Sequence, residues 1–182
     1  MSQHIFEMQK ALNDVLYSRE GCKLRNLIHY PYTPNLKIVN WGEGGCAIVA
    51  KAMHRWLRGD GPIYCLQEDM NFYIKRDRVD LSSLPPGYEK NKNHIIHVVN
   101  RIDGMFFDHV RLEECGDFLR SWPKYDPRYT SVIPFVEEDW VWEDIQMGDE
   151  YTDELYNLIC KYMGNWNNWK QQKAKYSQIK NK

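Results

Sequence analysis

Apolar residues first settle into a helical period near the amino terminus, where Ile5, Met8, Leu12, Val15 and Leu16 recur at three- and four-residue steps. This predicts a first helix, capped by Ser2 and stopped by Gly21. The same period returns in Ile48, Val49, Ala52, Met53, Trp56 and Leu57, so a second helix with one buried face begins at Cys46. A last helix runs through Leu155, Leu158 and Ile159, with Thr152 as its cap and Asp153 and Glu154 in its first turn. Between the first two helices, Pro31 and Pro34 among Tyr30, Tyr32 and Asn35 predict an extended connector from Leu24 to Val39.

Strand signals occupy the middle of the chain. Residues 63–66 and 72–74 read as short strands, and 129–136 as another. The strongest signal is the run from His94 to Ile102, then Asp103-Gly104, then Met105 to Val110: two β-branched and aromatic segments flanking a two-residue hairpin turn. Leu112 to Trp122 is predicted as a short helix before Pro123. The sum is an α+β fold with helices packed on one side of an antiparallel sheet.

Composition narrows the class. A chain of 182 residues with 43% hydrophobic and 14% aromatic content suffices for one domain with a substantial core. We place that domain at residues 1–165, followed by a basic, flexible tail over 166–182, where Lys170, Lys173, Lys175, Lys180 and Lys182 stand without an acid. Net charge is −1, which supplies no global field for nucleic acid or an anionic membrane. Residues 77–93 form a polar loop, and 137–154 an acidic edge without Lys or Arg. Cys22, Cys46, Cys65, Cys115 and Cys160 are widely spaced and odd in number, which argues against a disulfide framework, a zinc site or any bound metal. No cofactor motif is present. Neither a signal peptide nor a membrane span is apparent, and a cytoplasmic location is expected; oligomeric state is not encoded in any pattern found.

Candidate chemistry converges on Cys46. A glycine-rich turn, Asn40-Trp41-Gly42-Glu43-Gly44-Gly45, delivers this cysteine to a helix start, where unpaired amides and the positive dipole end favour thiolate. Gly44 and Gly45 would let a substrate backbone approach the sulfur, and Trp41 would wall the substrate in. The Cys46 amide and Asn40 are the candidate oxyanion donors. A thiol nucleophile needs a base and a group to orient it. If Asp103-Gly104 is a two-residue turn, Asn100 faces Phe107 and Val99 faces Asp108, so His97 shares a face with Asp108 at the diagonal position. His94 points to the other face, and His54 on the helix reads as structural.

In this order and setting the residues resemble the papain-like superfamily of cysteine peptidases and its transglutaminase-like relatives, over about residues 40–110. The compact members, including bacterial cell-wall amidase-peptidases, leader peptidases of bacteriocin exporters and the transglutaminase core, are the most similar in spacing. Asn40 stands where papain-like enzymes place an oxyanion glutamine, and Ala47 where papain has an aromatic. The resemblance implies a papain-like fold and a Cys46-His97-Asp108 triad that opens an amide bond through a thioester. Peptide or isopeptide cleavage is the expected outcome on a protein or peptide substrate, with deamidation and transamidation sharing the intermediate. The rival reading is a catalytically silent binding protein that holds a partner through an aromatic and acidic surface. Glu43 and the short Asn40 suit that reading, and exposed Trp140, Trp142, Trp166 and Trp169 would favour it.

Overall fold

The structure, a computed structural model, describes residues 3–30, 33–38, 40–42, 44–69, 71, 75, 78, 93–109, 112–114, 131–134 and 149–171. In chain order the elements are α1 (Gln3–Leu16), α2 (Arg19–Arg25), β1 (His29–Tyr30), β2 (Thr33–Lys37), α3 (Cys46–Trp56), β3 (Ile63–Asp69), β4 (Asn93–Ile102), β5 (Met105–Phe107), β6 (Leu112–Glu114), β7 (Ser131–Pro134) and α4 (Asp149–Met163). A short helix α5 follows over 166–171. The fold is α+β. Strands β3 to β7 form one antiparallel sheet in the order β6-β5-β4-β3-β7, and β1 and β2 make a separate hairpin. No helix among the described residues is long and apolar enough to cross a membrane.

The apolar period of α1 buries Ile5, Met8, Leu12, Val15 and Leu16, and that of α3 buries Ile48, Val49, Ala52, Met53 and Trp56. These join Leu155, Ile159 and Met163 of α4 and Ile102, Met105 and Phe107 of the sheet in one core. The β4–β5 hairpin has the register that a two-residue turn dictates: Ile102 faces Met105 and Asn100 faces Phe107. Asp103 and Gly104 both take positive φ, 50° and 79°, as the right-handed twist of the flanking strands demands.

Several expectations need correction. Gly21 does not stop α1, which ends at Leu16; Ser18 caps a separate α2 by accepting the Gly21 amide at 3.0 Å. A Cβ on Gly21 would stand 2.3 Å from the Val15 carbonyl oxygen, so glycine is there to let the two helices meet. The connector after Leu24 holds the end of α2 and the β1–β2 hairpin. The first mid-chain strand reaches Asp69, because the long β4 offers it partners as far as Asn93. Leu112–Glu114 is a strand, since the open edge of β5 outbids the weak local helical pattern. Thr152 lies inside α4, buried, instead of capping it.

The largest correction concerns the carboxyl-terminal segment. Trp166 is 5% exposed and belongs to the core. Its ring centroid lies 5.4 Å from that of Trp56, and Trp169 lies 6.1 Å from the same ring. The three indole N–H groups donate to the Gly164 carbonyl (Trp56, 2.7 Å), the Asp60 carboxylate (Trp166, 2.8 Å) and the Met163 carbonyl (Trp169, 2.8 Å). The domain therefore extends through residue 171. A basic, flexible tail was expected from residue 166, but a few aromatics with satisfied N–H groups suffice to dock residues 166–171. The Ser2 cap, Glu43, the 72–74 strand, nearly all of the 77–93 loop, the 115–122 part of the expected helix, the 137–148 acidic run with Trp140 and Trp142, and residues 172–182 lie outside the described residues.

Trp166→Ala should cost about 3 kcal/mol of stability, as truncation of a buried aromatic usually does, and urea denaturation of the full chain measures it. A cost within experimental error of zero would show that α5 contributes nothing to the core.

Candidate active site

The turn before α3 is built around Trp41. Its ring is fully buried and its N–H donates to the Leu16 carbonyl at 2.9 Å, which pins the turn to the end of α1. Trp41 is therefore a core anchor and not the substrate wall expected of it. The Asn40 Oδ1 accepts the Gly42 amide at 2.8 Å, and Asn40 also bridges to Gly44. Gly44 takes φ 88°, a left-handed conformation that glycine adopts without penalty. A Cβ on Gly45 would lie 2.9 Å from the Trp41 Cα. Both glycines thus have reasons within the turn itself: one for its φ, the other for the backbone it touches.

Gly45 is the N-cap of α3 and offers no side chain to the first-turn amides; no acid occupies that turn either. The helix therefore brings its positive end to Cys46 unneutralised by its own residues. The Ala47 amide donates to the Cys46 sulfur. Further along, Asn100 of β4 donates from Nδ2 to the carbonyls of Ala50 (3.1 Å) and Gly61 (3.0 Å), fixing α3 over the sheet.

Strand β5 stops at Phe107, opposite Asn100, so its ladder does not continue to Val98. The Val98 amide donates instead to Cys46 Sγ, and the sulfur takes the place a strand partner would hold. His97 and Asp108 flank this gap. The imidazole Nε2 lies 2.9 Å from Asp108 Oδ2, with both side chains buried, and His97 is hydrogen-bonded to Cys46. With Nε2 turned to Asp108, the bond to sulfur falls to Nδ1. The structure thus brings Cys46, His97 and Asp108 into one hydrogen-bonded chain.

Burial by itself would push the Cys46 thiol up. The charge of His97, the hydrogen bond from it, and the Val98 and Ala47 amides together outweigh burial, and the thiol sits below its ordinary value. For His97, burial pulls down, but the Cys46 charge, the bonds to Asp108 and Cys46, and the Asp108 charge raise it to about 10. The pairing thus favours the thiolate on Cys46 and the protonated ring on His97, each against its own burial. Cys65, buried in β3, is pushed far up, by burial first and by the Cys46 charge second.

Three positions escaped the sequence reading. Gln9 of α1 donates to the Asp108 carbonyl at 3.1 Å and holds that backbone in place. Asn100 clamps the helix. His109, 3% exposed, lines a small cleft with Cys46, Val49, Ala50, Val98, Asn100, Phe107 and Asp108. Only the position of His109, next to the candidate aspartate, offered any signal. His54 is structural as expected, its Nδ1 2.9 Å from the Gly61 carbonyl. No cluster of metal-binding side chains occurs among the described residues. Comparison with protein-family profiles, curated proteins and solved structures gives no match to this chain.

Cys46 is half-buried and within reach of a small reagent. Under limiting iodoacetamide at neutral pH it should alkylate before Cys22, Cys65 and Cys160, as mapped by peptide mass spectrometry. Uniform labelling, or protection of Cys46, would contradict the electrostatics described.

Proposed function

We propose that this chain is a cysteine-dependent hydrolase or acyltransferase of papain-like type, acting on an amide bond of a protein or peptide. The observation that supports it is the hydrogen-bonded series Cys46, His97, Asp108 at the uncapped start of α3. The Cys46 thiolate attacks the amide carbonyl carbon. The oxyanion that forms is held by the Cys46 amide, which has no partner within the helix, and by Nδ2 of Asn40, whose Oδ1 is fixed on Gly42. His97 then gives its proton to the departing amine, leaving a thioester on Cys46. Water or a second amine resolves the thioester, with His97 as base, and cleavage is the outcome we favour. Asp108 holds the ring in the tautomer that presents Nδ1 to sulfur. The silent-binder reading draws no support from its described aromatics: Trp166 is core, and Trp169 packs half-buried against Trp56.

Incubation with a peptide-amide library, read by mass spectrometry, tests the proposal. Cys46→Ala and His97→Ala should abolish turnover, and Asp108→Ala should reduce it on the order of a hundredfold or more. His94→Ala should retain most activity. Dependence on His94 with tolerance of His97→Ala would overturn the assignment.

Rate against pH gives an independent check. A lowered thiol value means the thiolate is present above it and lost as pH falls through it. A raised imidazole value means the proton needed by the leaving amine is present below it and lost as pH rises through about 10. A bell whose acid limb lies below the usual cysteine range is expected for kcat/KM. An acid limb at or above that range would remove the ion pair from the mechanism.

A further inference from the structure

Gln9 is a polar residue beside the core face of α1: Ile5, Met8 and Leu12 are fully buried, and Gln9 itself is 8% exposed. A carboxamide in such a place costs stability unless it is hydrogen-bonded. Its Nε2 donates to the backbone carbonyl of Asp108 at 3.1 Å, across 99 positions of sequence. Asp108 stands one residue past the end of β5, whose last residue, Phe107, is paired with Asn100 on one side and Leu112 on the other. The helix is registered against this hairpin at a second point, where His4 Nε2 lies 3.7 Å from the Asp103 carboxylate in the turn. Helix α1 therefore meets the β4–β5 hairpin both at its turn and at the residue that follows its second strand.

We propose that Gln9 is a positioning residue for the Cys46, His97, Asp108 series: its donor fixes the Asp108 backbone so that the carboxylate meets the His97 ring. The proposal rests on the reading of that series as the reacting groups. Aspartate has a short side chain, so a tilt of its backbone passes almost undiminished to Oδ2, which lies 2.9 Å from His97 Nε2. A hydrogen bond weakens steeply as it leaves its line. Burial lowers the His97 value, and the Cys46 charge and then the bond to Asp108 raise it, so a weaker bond leaves the ring less protonated and Cys46 less ionised. The titratable groups that face this centre are His97 from β4, His109 next to Asp108 in the chain, Cys46 of α3 beyond the imidazole, and Cys65 of β3 near the sulfur. From α1 the Asp108 backbone receives an uncharged carboxamide, so Gln9 acts through geometry and not through charge.

The pH dependence of Cys46 alkylation by iodoacetamide in the full chain, resolved by peptide mass spectrometry, reads this without a substrate. Gln9→Met keeps the length of the side chain and removes the donor. The acid limb should move up by about half a pH unit, which lowers the rate about threefold below the limb and leaves the plateau at high pH unchanged. Ile5→Ala, a core truncation on the same helix that keeps the Gln9 carboxamide, should lower thermal stability and leave the limb where it is. If Gln9→Met fails to fold, the unaltered protein decides: the nitrogen-15 resonance of the Gln9 side-chain amide should titrate with the midpoint of the Cys46 limb, and an amide that ignores that titration would overturn the proposal. An unmoved limb in Gln9→Met, or an equal shift in Ile5→Ala, would overturn the positioning role, while a limb below the usual cysteine range in the unaltered protein would leave the pairing of Cys46 and His97 standing. A limb at or above that range in the unaltered protein would overturn both.

Discussion

A thiol and an imidazole meet only if the helix carrying one is held at a fixed height and rotation over the strand carrying the other. Here that constraint is met by Asn100, two residues beyond Val98 on β4, whose carboxamide protons reach a carbonyl in the middle of α3 and another in the turn after it. Both ends of this bracket are buried, so breaking it would strand polar atoms away from water. The early end of β5 supplies the other half of the arrangement. Because the ladder stops at Phe107, one strand amide is released to the sulfur, and the residues on either side of the break are His97 and Asp108.

The turn into α3 is held by equally specific means. Trp41 reaches back to the last residue of α1, while Gln9 on that same helix reaches forward to the backbone of Asp108. One helix thus steadies both the approach to the nucleophile and the residue that orients its base. A neutral structural element would place these groups adequately; what makes the site chemically distinct is the balance of burial against pairing. Burial opposes charge on both Cys46 and His97, and the close pairing of the two, with Asp108 and two amides behind them, reverses the sign for each.

The hairpin was legible in the sequence because Asp-Gly between β-branched runs fixes turn, register and face together, and so the proximity of His97 and Asp108 followed from counting. The helix at Cys46 was legible through its apolar period. What was not legible depended on contacts distant in the chain. Trp41 looks like a loop aromatic until Leu16 is seen to accept its N–H, and Gly45 looks like a space for substrate until the Trp41 backbone is found against it. Asn100 and Gln9 carry no local pattern, since a polar residue on a buried face announces a partner without naming it. Trp166 was read with the lysines around it, and composition gave no sign that Trp56, over a hundred residues earlier, completes its packing.

That last contact bears on when the protein becomes what it is. During synthesis α3 emerges early, yet its far end packs on α4 and on indoles near residue 166, so its lodging is finished only after almost the whole described chain has left the ribosome. The setting of Cys46 is thus coupled to indoles more than a hundred positions further along the chain, and loosening that distant contact would loosen the helix on which the sulfur rides.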